Sequence, residues 1–392
     1  MNPEKIRKDF PVLEKGIIYL DSACMSLRPL PVINKIKEYY EKYPACGERS
    51  QHSLGKKVTE EVEKSRKEIA EFISAKEKEI IFTKNTTESV NLVAHSLGFR
   101  PGEEIIISGK EHNSNLLPWL KQKEERGAIL QVIPFNQEFD LEEFQKKLNR
   151  KTRLVSVAHI SNLDGTSIPI NEVIKLAHEN GSLVLLDGAQ AVPHQKTDVK
   201  KIGADFLAFS GHKMLGPSSG VLYGREELLK QMKSFIVGGG TVKDSHYHSA
   251  EWDESPAKFE AGLQDYAGMM GLAEATRYLK KIGFNEIHEH EILLNKMVTE
   301  RLSGKVNLLG PLAAEKRKGI FSFNIKELDS HLIAGVLDKS KKIAVRSGTH
   351  CVHSWFNQHH LKGSVRASFY LYNTMEEAKI FCEEVEKIAQ HF

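Results

Sequence analysis

Leu183-Val184-Leu185-Leu186-Asp187-Gly188-Ala189-Gln190 and Asp205-Phe206-Leu207-Ala208-Phe209-Ser210-Gly211-His212-Lys213 are two apolar runs that each end in polar residues and glycine. Short apolar runs bounded in this way read as buried strands. Working outward, similar runs occur at Ile80–Phe82, Ile105–Ile107, Leu130–Ile133, Leu154–Ala158 and Val221–Tyr223. Amphipathic stretches such as Ser89–Leu97, Leu141–Leu148 and Asn171–His178 lie between them. This alternation predicts an α/β fold with a mostly parallel, seven-stranded sheet covered on both faces. Ligands on such sheets bind beyond the carboxyl ends of the strands.

The pattern changes near Gly262. Two long helical stretches, Gly268–Lys281 and Asn285–Leu302, follow one another. Strand-like Val306–Leu309, Ile320–Asn324, Ile343–Val345 and Val365–Phe369 come next, with helical Ser330–Leu337 among them. The final stretch, Thr374–Ala389, places Ala378, Phe381, Cys382, Val385 and Ile388 on one helical face. The expected organisation is an N-terminal segment (1–30) packed on the small domain and a large domain (31–262). A helical connection and a small α+β domain (263–392) complete it.

The 392 residues are 40% apolar, enough for substantial cores. Basic and acidic residues, 55 and 52, nearly cancel to +3. That balance argues against nucleic acid or a membrane surface as partner. No apolar stretch approaches the ~20 residues of a membrane span, and Met1–Phe10 is charged, unlike a secretion signal. Cys24, Cys46, Cys351 and Cys382 form no closely spaced pair, so neither a metal site nor a disulfide framework is expected. A cytoplasmic setting with reduced thiols fits.

Chemistry concentrates at the predicted strand ends. Lys213 and Asp187 suit pyridoxal 5'-phosphate: the lysine makes a Schiff base and the carboxylate keeps the pyridine nitrogen protonated. Thr86 and Thr87 follow Ile80–Phe82 and begin a helical stretch, where free N–H groups and hydroxyls can hold a phosphate. Ordinary helix capping is the alternative. His112 follows Ile105–Ile107, where its ring can lie against a flat cofactor or stay a solvated loop residue. Asn162 can reach the cofactor's phenolic oxygen or simply make a turn with Asp164-Gly165. Ser210 completes the set. Farther along, Cys351 sits in Arg346-Ser347-Gly348-Thr349-His350-Cys351, where positive neighbours favour a thiolate. Cys382, on its apolar helix face, reads as packing. Arg366 can grip a carboxylate bidentately, or form a surface ion pair.

Together these stretches resemble the class V pyridoxal-phosphate enzymes of the cysteine desulfurase and selenocysteine lyase group, in particular the SufS-like type II branch. The resemblance runs through "DFPVL", "YLDSA", "TTESVNLVAHS", "EHNSNLLPW", "SNLDGT", "DGAQAV", "SGHKMLGPSSGVLYG", "GGGT", "FEAG", "RSGTHC" and "VRASFYLYNT". It implies fold type I, pyridoxal 5'-phosphate as cofactor, and conversion of L-cysteine to L-alanine with sulfur passing to Cys351. It further implies that Lys213 holds the cofactor and shuttles protons, Asp187 pairs with the ring nitrogen and Gln190 approaches the phenolic oxygen. His112 would stack on the ring, and Thr87, Ser210 and His212 would hold the phosphate. Asn162 and Arg366 would orient the substrate, with His52 near the active site. A homodimer and a sulfur-accepting or scaffold protein are the partners implied.

Two departures stand out. The family usually has threonine after "FEAG", reaching the neighbouring subunit's phosphate, whereas this chain has Leu263, followed by Gln264. Cys24 and Cys46 lie in two segments that approach the active site in relatives, as packing residues, a sulfur relay or an iron–sulfur ligand pair. Selenocysteine lyase is the nearest rival activity, since selenium leaves readily with weak nucleophilic help. Other class V chemistry, transamination or β-elimination, does not need Cys351. From a different class, a low-turnover sulfur- or cluster-handling interaction protein would explain Leu263 and the two extra cysteines.

Overall fold

The structure is a computed structural model that describes residues 1–391. Its large sheet contains β1 (Ile80–Thr83), β2 (Glu104–Ser108), β3 (Ile129–Ile133), β4 (Thr152–Ala158), β5 (Leu183–Asp187), β6 (Phe206–Ser210) and β7 (Gly220–Gly224). Their order across the sheet is 1-7-6-5-4-2-3. Each inner strand is apolar on both sides because both faces are covered. Ile106, Val155, Val157, Leu186, Leu207 and Phe209 enter one core. Their sequence neighbours Ile105, Ile107, Leu154, Leu185, Phe206 and Ala208 enter the other.

The predicted seven-stranded sheet is present, with one strand reversed. β7 runs antiparallel to both β6 and β1. Residues 211–219 are too few for the crossover of a dozen or more residues that a parallel return requires. Gly211 N–H donates to the Ser219 carbonyl at 2.7 Å, which closes the turn. As a result the start of β7 lies beside the end of β6, with Ser210 opposite Gly220.

Two helices that the sequence reading did not identify, Leu30–Lys42 and Ser53–Phe72, pack against helix Tyr266–Ile282. Val32 on one, with Tyr43 just past its end, Val58, Val62 and Ile69 on the other, and Met269, Met270 and Leu279 on the third share the core beneath the sheet. Also unforeseen is an exposed antiparallel hairpin, Val242–His246 with Ser249–Trp252.

A second sheet is wholly antiparallel, in the order Asn307–Leu309, Ile320–Asn324, Ser364–Ser368, Arg346–Gly348. Helices Phe284–Leu302, Ser330–Lys341 and Met375–His391 bury their apolar residues against it. The predicted strand Ile343–Val345 is Ile343–Ala344, paired in parallel with Ile18–Tyr19. From there the N-terminal segment runs past Ser368, whose Oγ accepts from Ala23 N–H at 2.9 Å. Residues 21–26 therefore lie between the two sheets.

Gly220 marks the tightest approach near the sheet's carboxyl end. A Cβ there would stand 2.5 Å from Asn85 Cα and 2.7 Å from its carbonyl carbon and nitrogen. Backbone on both sides leaves little room to relax. Gly220→Ala should lower unfolding stability in denaturant by about 1–3 kcal/mol. An unchanged midpoint would contradict this packing.

Candidate active site

The strand ends converge on one crevice. Ser210 closes β6, and Lys213 follows in a single tight turn, Gly211–Lys213. Asp187 ends β5. Asn162 lies four residues beyond β4, and His112 four beyond β2. Thr86 and Thr87 open helix Thr86–Ser96 just after β1. From the second sheet come Arg346, His350, Cys351 and Arg366, and from the N-terminal segment Cys24. All line a cavity of about 250 Å³, as does His212.

Asn85, not either threonine, caps this helix, its side chain accepting from Glu88 N–H. That releases the threonines from the capping role. Thr86 joins β6 through its N–H and hydroxyl, both on Ser210 Oγ at 2.8 and 2.7 Å. Thr87 Oγ1 lies 2.7 Å from Ser114 Oγ. Hydroxyls at a helix start suit an anion.

Burial controls the charges. It lowers the Lys213 pKa, with nearby Asp187 opposing and Arg366 reinforcing the shift. Among the described residues no hydrogen-bond or ion-pair partner holds this amine. Burial raises the Asp187 pKa, opposed by Lys213 and by the Ala189 N–H, which donates to Oδ1 at 2.9 Å. Burial, then the charges of Lys213, Arg366 and Arg346, push the His112 ring down to about 3. Its Nδ1 accepts from Ser114 N–H at 3.0 Å, so the neutral ring carries its proton on Nε2. His212 is likewise pushed down, to about 4.

Arg366 is buried rather than a surface ion-pair residue. One Nη donates to the Asn162 carbonyl at 2.9 Å, and the other lies 3.4 Å from Asp21 Oδ1. Its Nε is buried without a partner, a donor left for a ligand.

Cys351 has φ +60° and His350 φ +50°, left-handed values that side chains other than glycine adopt at a cost. Contacts from three directions hold them. Asn113 N–H donates to the Cys351 carbonyl at 2.7 Å, Asn162 Nδ2 to the His350 carbonyl at 2.8 Å, and His350 Nε2 lies 2.9 Å from Ser364 Oγ. One expectation changes here. Burial, helped by Arg366 and Arg346, pushes His350 down to about 2, so it is neutral. The cation at Cys351 is Arg346, with Nη2 3.8 Å from Sγ, while Nη1 donates to Cys24 Sγ.

Two expected residues are not brought in. Gln190 turns its amide to the Ala23 carbonyl at 2.7 Å and keeps a buried Oε1 without a partner, holding the N-terminal segment instead of lining the cavity. His52 caps helix Ser53–Phe72, where Nδ1 accepts from Gly55 N–H. A helix end needs such an acceptor, and this satisfies it. Cys46 lines a separate cavity with Arg49 and Tyr266, so it forms no ligand pair with Cys24. Cys382 is buried in the small core, and burial pushes its thiol up to about 12. Leu263 is 75% exposed, and Gln264 donates to the Ala261 carbonyl. Asp21 received no role from the sequence reading, although it lies in a quoted motif, and Arg346 was read there only as a positive neighbour of Cys351.

Residues 18–381 match the family described as aminotransferase class-V. The chain belongs to this family. It is 39% identical to a probable cysteine desulfurase of Halalkalibacterium halodurans, over 100% of this chain and 99% of that one. It is 41% identical to a probable cysteine desulfurase of Pyrococcus abyssi, over 99% and 98%. An apo structure of a cysteine desulfurase from Thermococcus onnurineus superposes with a TM-score of 0.96 at 40% identity, covering 100% of this chain and 99% of that one. The α/β sheet agrees with fold type I. Among the described residues no helix is long and apolar enough to cross a membrane.

Glu111, beside His112, supports the crevice from below. It accepts from Ser108 Oγ, Asn115 Nδ2 and Ala158 N–H, yet burial still pushes its carboxyl up to about 7 from an ordinary 4.5. The folded state then binds more protons than the unfolded chain between those values. Stability is present at low pH and falls as pH rises through about 7. Glu111→Gln stays neutral, so it should lose less stability than the parent between about pH 5 and 8, a difference of up to about 3 kcal/mol. Parallel stability–pH curves would refute this.

Proposed function

We propose that the protein is a cysteine desulfurase that uses pyridoxal 5'-phosphate to convert L-cysteine to L-alanine, delivering the sulfur to Cys351. The observation that carries this reading is a cysteine thiol, beside a guanidinium, in the same crevice as an unpartnered half-buried lysine and a buried carboxylate. The donor set fits the cofactor. Thr86, Thr87, Ser210 and His212 offer groups for its phosphate, Asp187 for its ring nitrogen, His112 a neutral face, and Lys213 the amine that binds it. Bound there, the cofactor supplies an electron sink.

The chain's own residues do the rest. Arg366 takes the substrate carboxylate, using its free Nε, and Asn162 fixes the orientation. A lysine with a lowered pKa has a neutral fraction able to remove the Cα proton and return it. Cys351, as thiolate, attacks the substrate sulfur. An S–S bond forms and the C–S bond breaks, its electron pair staying on carbon, which takes a proton to become the methyl of alanine. L-cysteine plus the Cys351 thiol thus give L-alanine plus a Cys351 persulfide. An acceptor, a carrier protein or a reductant, must then remove that sulfur.

A homodimer in a reducing, cytoplasmic setting belongs to the same reading. Ile236, Val237, Trp252 and Leu263 are exposed apolar side chains of the kind a partner copy would cover. Four free cysteines suit such a compartment.

Lys213→Ala should lose the visible absorbance of the bound cofactor and lower turnover by about 10²–10⁴-fold or more. Cys351→Ala should keep the absorbance but form no persulfide from L-cysteine. Alanine assay with peptide mass spectrometry reads both. Desulfuration by Cys351→Ala at the parental rate would overturn the nucleophile assignment. Sedimentation should give twice the monomer mass, and a monomer would remove the dimer.

A further inference from the structure

The mechanism above uses one thiol, yet the crevice holds two. Cys24 lines the same cavity as Lys213, Arg346, Cys351 and Arg366. One guanidinium serves both sulfurs: Arg346 Nη1 donates to Cys24 and Nη2 faces Cys351. The two ends of a guanidinium are rigidly linked, so the sulfurs are held as neighbours rather than as independent surface thiols.

The position of Cys24 is built, not incidental. Its N–H donates to the Asp21 carbonyl at 3.1 Å, and the preceding Ala23 is tied to Ser368 Oγ. Two residues later, Ser26 N–H donates to the His212 carbonyl at 2.9 Å. The segment is thereby fastened to the strand carrying Arg366 on one side and to the Lys213 turn on the other. Cys24 is half-buried, so it faces the cavity yet stays within reach of solvent. Cys46, though also half-buried, lines a different cavity, and Cys382 is buried in the small core.

Resting on the desulfurase reading, we infer that Cys24 is a second sulfur-accepting thiol that relieves Cys351 of its persulfide sulfur, so that one chain stores two sulfur atoms. The Cys24 thiolate attacks the outer sulfur of the Cys351 persulfide. A new S–S bond forms at Cys24 and the old one breaks. Its electron pair returns to Cys351 Sγ, which leaves as a thiolate beside Arg346. The sulfur keeps its oxidation state, so no oxidant or reductant is needed. Arg346 partners an anionic sulfur before and after the step, because it reaches both residues. Cys351 is then free to meet a second L-cysteine.

The test uses the cofactor-loaded enzyme without reductant. It is mixed rapidly with a few equivalents of L-cysteine carrying heavy sulfur, then quenched with an alkylating agent that preserves persulfides. The parent should release a burst of two alanines per chain, with the label on the Cys351 peptide first and the Cys24 peptide afterwards. Cys24→Ser and Cys24→Ala should give a burst of one, with the label on Cys351 alone, and retained visible absorbance shows that either variant is folded and loaded. In Cys351→Ser no label should reach Cys24. A parental burst of one with an unlabelled Cys24 peptide overturns the inference. So does a Cys24–Cys351 disulfide with release of sulfide, because attack would then have fallen on the inner sulfur. Absence of label on Cys351 itself strikes instead at the desulfurase reading, so the two failures are distinct.

Discussion

Lys213, Arg346 and Arg366 face one small crevice, set against the carboxylates of Asp187 and Asp21. Burial raises the pKa of both aspartates and lowers that of Lys213 and Arg366, so the space tolerates charge poorly while carrying an excess of positive groups. The neighbouring imidazoles of His112 and His350 answer by staying neutral. A site of this character is stabilised by anions, and a phosphate, a substrate carboxylate and a sulfur anion are what the proposed reaction would bring. The same imbalance that costs stability in the free chain selects the ligands.

Geometry is supplied by two sheets with different duties. The parallel strands deliver Asn162, Asp187 and Lys213 from consecutive ends, and the reversed β7 brings Gly220 against Asn85, fixing the start of the helix that bears Thr86 and Thr87. The antiparallel sheet delivers Arg346 and Arg366 from adjacent strands paired at the same register position. Neither sheet alone holds a complete set. The cysteine loop is stitched to both, through Asn113 and Asn162 on one side and Ser364 on the other, and those contacts offset its left-handed backbone.

Much of this was legible in the amino-acid order. Strands buried on both faces announce themselves as apolar runs, and polar residues that follow them point to the crevice, as at Asp187 and Lys213. Direction is not carried by such a run, which is why the reversal of β7 appears only from the length of its connection. Helix Ser53–Phe72 was missed because its lysines and glutamates outnumber a thin apolar stripe at Val58, Val62 and Ile69, and Leu30–Lys42 because it buries only Val32 of its apolar residues. His52 and Gln190 resemble site residues, yet one serves a helix end and the other a neighbouring segment, choices set by three-dimensional neighbours. The meeting of Cys24 with Arg346 spans most of the chain and leaves no local trace.

That long span has a consequence for assembly. Ile18 and Tyr19 find their partners at Ile343 and Ala344, and Ala23 finds its own at Ser368. Contacts between such distant positions carry a loop-closure cost that local helices avoid, and they form late. During synthesis the crevice must remain open on one side until residues 343–368 have left the ribosome. The newborn large sheet would thus offer Lys213 to the solution before the N-terminal strap seals it, giving a coenzyme an early and unobstructed approach.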